Sequence, residues 1–126
     1  MRPKSAAHLW DVLEAARSAR VFMAGLDELA YTEDALRRSA AERQLEVLGE
    51  ALNRLRRDDP ESAAGVPSLK DIIGMRNVTA HDYGSVDDGL VWAAVVHELP
   101  GLVGHLEGLL ARVAPPGAEG GAVVGW

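Results

Sequence analysis

Cysteine is absent from the 126 residues. Disulfides, thiolate metal sites and cysteine nucleophiles are thereby excluded. A chain without thiols suits a reducing compartment, and the cytoplasm is the expected location. Positive charge is also short, with 13 Lys+Arg against 19 Asp+Glu and a net charge of −6. A broad basic surface for nucleic acid is not expected, so RNA chemistry would need a local arginine cluster or a second copy of the chain. Lysine in particular is scarce: eleven of the thirteen basic residues are Arg. Arg grips phosphate in a bidentate fork, although an Arg-, Ala- and Gly-rich composition also follows from a GC-rich genome. No apolar run approaches the roughly 18 residues of a membrane span. The basic start Met1-Arg2-Pro3-Lys4-Ser5 lacks the apolar core of a signal peptide. Neither a membrane nor a secretory route is expected.

What is there is a normal globular balance, 48% apolar and 25% charged, of a size for one domain. Apolar residues recur at three- and four-residue spacing almost throughout. Leu9, Val12, Leu13, Ala16, Met23 and Leu26 predict a helix over 8–26, ending near Gly25. Thr32 is the expected cap of a second helix carrying Leu36, Ala40, Val47, Leu48, Ala51, Leu52 and Leu55, stopped at Asp58-Asp59-Pro60. A polar connection follows over 58–67. Ser68 is placed to cap a third helix with Leu69, Ile72 and Ile73. Val86, Leu90, Val91, Ala94 and Val95 form a fourth stripe, and Pro100 opens a fifth through Val113. The expected fold is all-α, an up-and-down antiparallel bundle of about five helices over 1–114, with a Gly/Pro-rich tail over 115–126.

The third helix carries a misplaced residue. At 100° per residue from Leu69, Arg76 falls at about 340°, within the apolar stripe. Asn77 lies at its edge, Tyr83 returns to Arg76's side, and His81 lies about 140° round from it. An arginine in an apolar face costs several kcal/mol unless it is paired or opens onto a cleft. Glu46 and Glu50, one turn apart on the second helix, are candidate partners for an internal ion pair. The alternative is an anion site. Metal-independent RNA cleavage needs proton transfer, which suits His81, and a cation on the phosphorane, which suits Arg76. Asn77 is suited to orienting either. One histidine does not readily serve as both acid and base, and a two-fold dimer would supply a second. No metal or cofactor is called for. The second reading is a non-catalytic module in which Arg76 holds a nucleotide, as the regulatory partner of a nucleotidyltransferase. The third is a structural bundle.

At these residues the chain resembles the HEPN superfamily, and within it the HepT-like toxins of toxin–antitoxin pairs. The signature, Arg, four residues, His, one residue, Tyr, is met by Arg76, His81 and Tyr83, with polar Asn77 after the Arg. The segments Glu46–Ala51, Ile72–Asn77 and Val86–Pro100 resemble flanking blocks of the family in the same order, and the likeness runs over about residues 8–110. The resemblance implies a homodimer whose motif helices face each other. It implies a metal-independent ribonuclease of a type VII-like system, cutting cellular tRNA or mRNA at an Arg76/His81 cleft. It also implies an MntA-like nucleotidyltransferase antitoxin that transfers AMP to Tyr83. Negative charge at the cleft would then oppose RNA.

Overall fold

The computed structural model describes residues 2–66, 88–111 and 113. Among the described residues every regular element is a helix and there is no strand, in agreement with the all-α expectation.

Helix α1 spans Pro3–Met23. It begins five residues earlier than the apolar spacing indicates. Pro3 is tolerated in the first turn, and the buried residues there, Ser5 and Ala6, are too small to register as a stripe. The helix ends where expected: Gly25 adopts φ +81°, the left-handed conformation that glycine takes at least cost. Leu26 lies beyond the helix, half-buried against the core.

A short helix α2, Glu28–Thr32, follows, and helix α3 spans Ala35–Asp58. Thr32 therefore closes one helix rather than capping the next. Asp27 caps α2 through Ala30 N–H at 2.8 Å, and Asp34 caps α3 through Arg37 N–H at 3.0 Å. A carboxylate is both a good acceptor for a free helical N–H and a favourable charge at the positive end of the dipole. Leu36, counted in the apolar stripe from sequence, is 80% exposed. It stands in the first turn of α3, with Ala41 the first residue of that helix to be buried.

Asp58-Asp59-Pro60 ends α3 as expected, but the connection after it is partly ordered. Asp59 caps helix α4, Pro60–Ala64, with Pro in the first turn. The later elements also differ from expectation. Helix α5 (Asp88–Ala93) passes through a π turn (Ala94–Glu98) directly into helix α6 (Leu99–Leu110), so the fourth and fifth stripes form one continuous helix. The Leu99 N–H bonds to the Ala94 carbonyl, five residues back. Pro100 brings no N–H and crowds the carbonyl four residues before it, and the widened turn absorbs that conflict without breaking the helix. The joined helix is long enough to cross a bilayer. Its inward residues Val91, Val95, Leu99, Leu102, Leu106 and Leu110 form one buried stripe, with half-buried Asp88 at its start, while Glu98 and Glu107 lie on other faces. That is the pattern of a core helix.

Helices α1 and α3 pack along their lengths, and α6 packs on α1. Arg2 lies 3.6 Å from Asp59, and His8 lies 3.0 Å from Asp58, so the start of α1 meets the end of α3. At the other end Arg38, early in α3, lies 3.7 Å from Asp88 at the start of α5. Arg17 reaches Glu107 at 2.8 Å while the end of α1 meets Trp92 and Val95, so α1 also runs antiparallel to the α5–α6 helix. The core between them is aliphatic: Leu9, Leu13, Leu45, Leu48, Leu52 and Leu106 are fully buried.

Candidate functional site

Arg76, Asn77, His81 and Tyr83 lie outside the described residues, as does the expected third helix. What the structure does describe is the frame on either side. Helix α4 follows directly on the end of α3, so Val66 stands near that end. Asp88 stands at the opposite end of α3, beside Arg38. Residues 67–87, which carry the motif, join these two points.

The face of α3 running between the two points is acidic. Glu42, Glu46 and Glu50 recur every fourth residue and are all half-buried. Glu46 lies 3.5 Å from Arg43 and Glu50 lies 3.9 Å from Arg54, each pair within the helix. Both carboxylates expected as candidate ion-pair partners of Arg76 are therefore on one face, each with a local cation. Asn53, one turn further, has a buried side-chain oxygen without a hydrogen-bond partner among the described residues.

At the Asp88 end lies a polar cluster that sequence reasoning did not single out. The Tyr31 side chain is fully buried and its hydroxyl has no hydrogen-bond partner among the described residues. Burial, then the charges of Glu42 and Asp88, push its pKa well above the usual phenol range. Glu42 is pushed up as well, first by burial and then by Asp88, against the opposing pull of Arg38. Arg38 donates to the Thr32 carbonyl and pairs with Asp88. The i,i+4 spacing of Arg38 and Glu42 was visible in the chain. The partnership with Asp88, fifty residues on, carried no local signal.

At the opposite end, Asp59 accepts from Ser5 Oγ and Ser62 Oγ, each at 2.6 Å, and from Ser62 N–H at 3.2 Å. These hydrogen bonds hold its carboxyl down at about 2. His8 and Asp58, next to it, are themselves 3.0 Å apart. Serine, histidine and two aspartates are thus neighbours, but Ser5 is committed to a carboxylate rather than to an imidazole that would activate it, so the cluster is a staple between helices.

A groove of about 270 Å³ lies between the end of α1 and the π turn, lined by Met23, Leu26, Trp92, Val95, Val96 and Pro100 with Arg20 at its rim. Trp92 donates from Nε1 to the Leu26 carbonyl at 3.0 Å and meets the His97 ring edge-on at 5.9 Å. The groove lining holds no carboxylate or imidazole. Of the arginines on α3, Arg37 lies 3.6 Å from Asp34, and Arg38 and Arg43 are in the ion pairs already described. Among the described residues no group of three or more His, Cys, Asp or Glu side chains could hold a metal ion.

Comparison with known proteins assigns the class. The profile of the HepT-like ribonuclease family matches residues 12–108, and the chain belongs to that family. Three relatives named as candidate RNases agree. One from Methanocaldococcus jannaschii is 32% identical over 101 residues, covering 80% of this chain and 92% of the relative. One from Caldanaerobacter subterraneus subsp. tengcongensis is 30% identical over 82 residues, 65% of this chain and 72% of its own. A second Methanocaldococcus jannaschii protein is 29% identical over 107 residues, 85% and 88% of the two chains. No solved structure matches the chain at the significance these relatives reach. The protein is a ribonuclease-type enzyme, and the matched span includes the whole Arg76–Tyr83 motif.

Proposed function

We propose that the protein is an endoribonuclease toxin whose catalytic residues are Arg76 and His81. His81 of one copy takes the proton from the 2′-hydroxyl, His81 of the other gives one to the leaving 5′-oxygen, and Arg76 neutralises the charge that builds on the phosphorane. Asn77 orients them, with Glu46 and Glu50 of α3 as supporting carboxylates. Because one imidazole is not both acid and base in a single step, a homodimer brings two copies of the motif to one cleft. A nucleotidyltransferase antitoxin neutralises the enzyme by adding AMP to Tyr83, and both proteins act in the cytoplasm. The observation that carries this reading is the family match over residues 12–108, which includes a histidine and an arginine suited to metal-independent cleavage.

The purified chain should cut RNA in the presence of EDTA and leave 2′,3′-cyclic phosphate ends or their hydrolysis product. His81→Ala should lower kcat by ~10² to 10⁴-fold, the usual contribution of a positioned proton-transfer group, with unchanged circular dichroism and oligomeric state. Equal cleavage by His81→Ala and wild type refutes the assignment. Intact mass after co-expression with the antitoxin should show additions in units of AMP on the peptide containing Tyr83.

The net charge of −6 favours one competing reading, a nucleotide-binding regulatory subunit without turnover. Calorimetric nucleotide binding with no RNA cleavage at high protein concentration would select it.

A further inference from the structure

We propose that Arg38 is a positioning residue for the ribonuclease reaction, fixing through Asp88 the start of α5, the first described residue after the motif. The proposal rests on the assignment of Arg76 and His81 made above.

Three other ion pairs of α3, Arg37–Asp34, Arg43–Glu46 and Arg54–Glu50, join residues three or four apart, and such contacts do not set one element against another; Asp58 ties the far end of the helix to Lys4 and His8 of α1. Arg38 does something different. Its backbone N–H bonds to the Asp34 carbonyl at 2.9 Å, its guanidinium donates to the Thr32 carbonyl at the end of α2, and its Nε stands 3.7 Å from Asp88 at the start of α5. One side chain therefore ties three elements together. The planar guanidinium, with several fixed donors, makes both contacts at once, where a lysine would keep the charge but hold the two partners less firmly. The two side chains are 29% and 26% exposed, against 48% and 50% for Arg17–Glu107, so solvent screens them less.

The position matters because of what precedes it in the chain. Asp88 comes five residues after Tyr83 and seven after His81. The surroundings also make Arg38 hard to do without. Tyr31 and Glu42 both feel the Asp88 charge, and Arg38 is the cation acting against it on both. Removing Arg38 leaves two carboxylates facing each other beside a buried phenol. The start of α5 is then repelled from α3 as well as released. A displacement of about 1 Å in a catalytic constellation is enough to cost on the order of 10²-fold in rate.

The test compares Arg38→Met, Arg38→Lys and Asp88→Asn in the full chain, on a short single-stranded RNA oligonucleotide, well below the melting temperature of each variant. The expected result is a fall in kcat of about 10- to 100-fold for Arg38→Met and Asp88→Asn, with KM within about twofold of wild type. Arg38→Lys should recover part of the loss. The Arg38→Met/Asp88→Asn double variant should be no slower than the worse single variant, since both remove the same contact. Asp88→Asn keeps the side-chain shape and serves if Arg38→Met fails to fold. Wild-type kcat in folded Arg38→Met or Asp88→Asn overturns the proposal. So does a kcat loss that Arg38→Lys leaves as deep as Arg38→Met does. His81→Ala measured alongside separates the two failures. If it is inactive while the Arg38 and Asp88 variants are fully active, only the positioning role falls. If it is active, the catalytic assignment falls, and the positioning role falls with it.

Discussion

Tyr31 is a residue whose packing leaves a polar group unmet. Its ring is fully buried, yet its hydroxyl has no partner among the described residues. A buried, unpaired hydroxyl is a net cost, since it gave up water and received nothing. Tyr31→Phe should therefore raise stability by roughly 1 kcal/mol, read as an increase in the urea midpoint at constant slope. A loss of stability would mean that the hydroxyl holds a bond in solution. Nothing in the sequence marked this tyrosine, because an apolar face accepts Tyr and Phe alike, and only the packed neighbours reveal the unmet donor. Gly25 is the contrary case. Its place after the last apolar residue of α1 announces a helix end, and its φ of +81° bears that out.

At the scale of the helix, α3 carries its conflict on one face. Glu42 is half-buried, and burial together with Asp88 raises its pKa. A carboxyl with a raised folded-state pKa binds its proton more tightly folded than unfolded. Its protonated form favours folding, and stability is lost as pH rises through the folded pKa. Glu42→Gln should accordingly be more stable than wild type at neutral pH. The difference should vanish as pH falls below the ordinary carboxylate range, when Glu42 is neutral in both states. Paired chemical denaturation at pH 7 and pH 3.5 checks the sign; a variant less stable at pH 7 would contradict it. The continuous α5–α6 helix is the other lesson at this scale. Pro100 reads from sequence as the start of a new element, and at many positions it would be. The π turn from Ala94 to Glu98 provides a third outcome that periodicity cannot distinguish from a break.

For the whole molecule, the ends of α3 are held by two different devices. Arg38 and Asp88 join one end to α5. At the other, Asp59 binds Ser5 of α1 and Ser62 of α4, closing a contact between residues 54 positions apart. Those hydrogen bonds hold the Asp59 carboxyl at about 2, below its ordinary 3.8. A depressed pKa stabilises the fold above the ordinary value, and that stability drains away as pH falls from 3.8 towards 2. Asp59→Asn should be less stable than wild type at pH 7 and should lose the part of the acid dependence that lies in this window. Equal acid sensitivity of the two proteins would show that other carboxylates dominate. The bundle and its class were legible in the chain, since amphipathic spacing, capping residues and the Arg76–Tyr83 motif are all local patterns. The pairing of Arg38 with Asp88 and of Asp59 with Ser5 was not legible, since each joins residues distant in sequence.

What the chain determined by itself is its helical character, the ends of α1 and α3, and its membership of the HepT-like ribonuclease family. These follow from apolar periodicity, from glycine and aspartate at helix ends, and from a motif of fixed spacing. Tertiary structure alone decided that Asp34 rather than Thr32 caps α3, that two apolar stripes form one helix across a π turn, and that Arg38 meets Asp88 above a buried, unpaired tyrosine. The physical reason is range. A cap or a stripe is set by neighbours within a turn or two, whereas an ion pair, an orphaned hydroxyl or a raised pKa exists only once distant helices have excluded water around it.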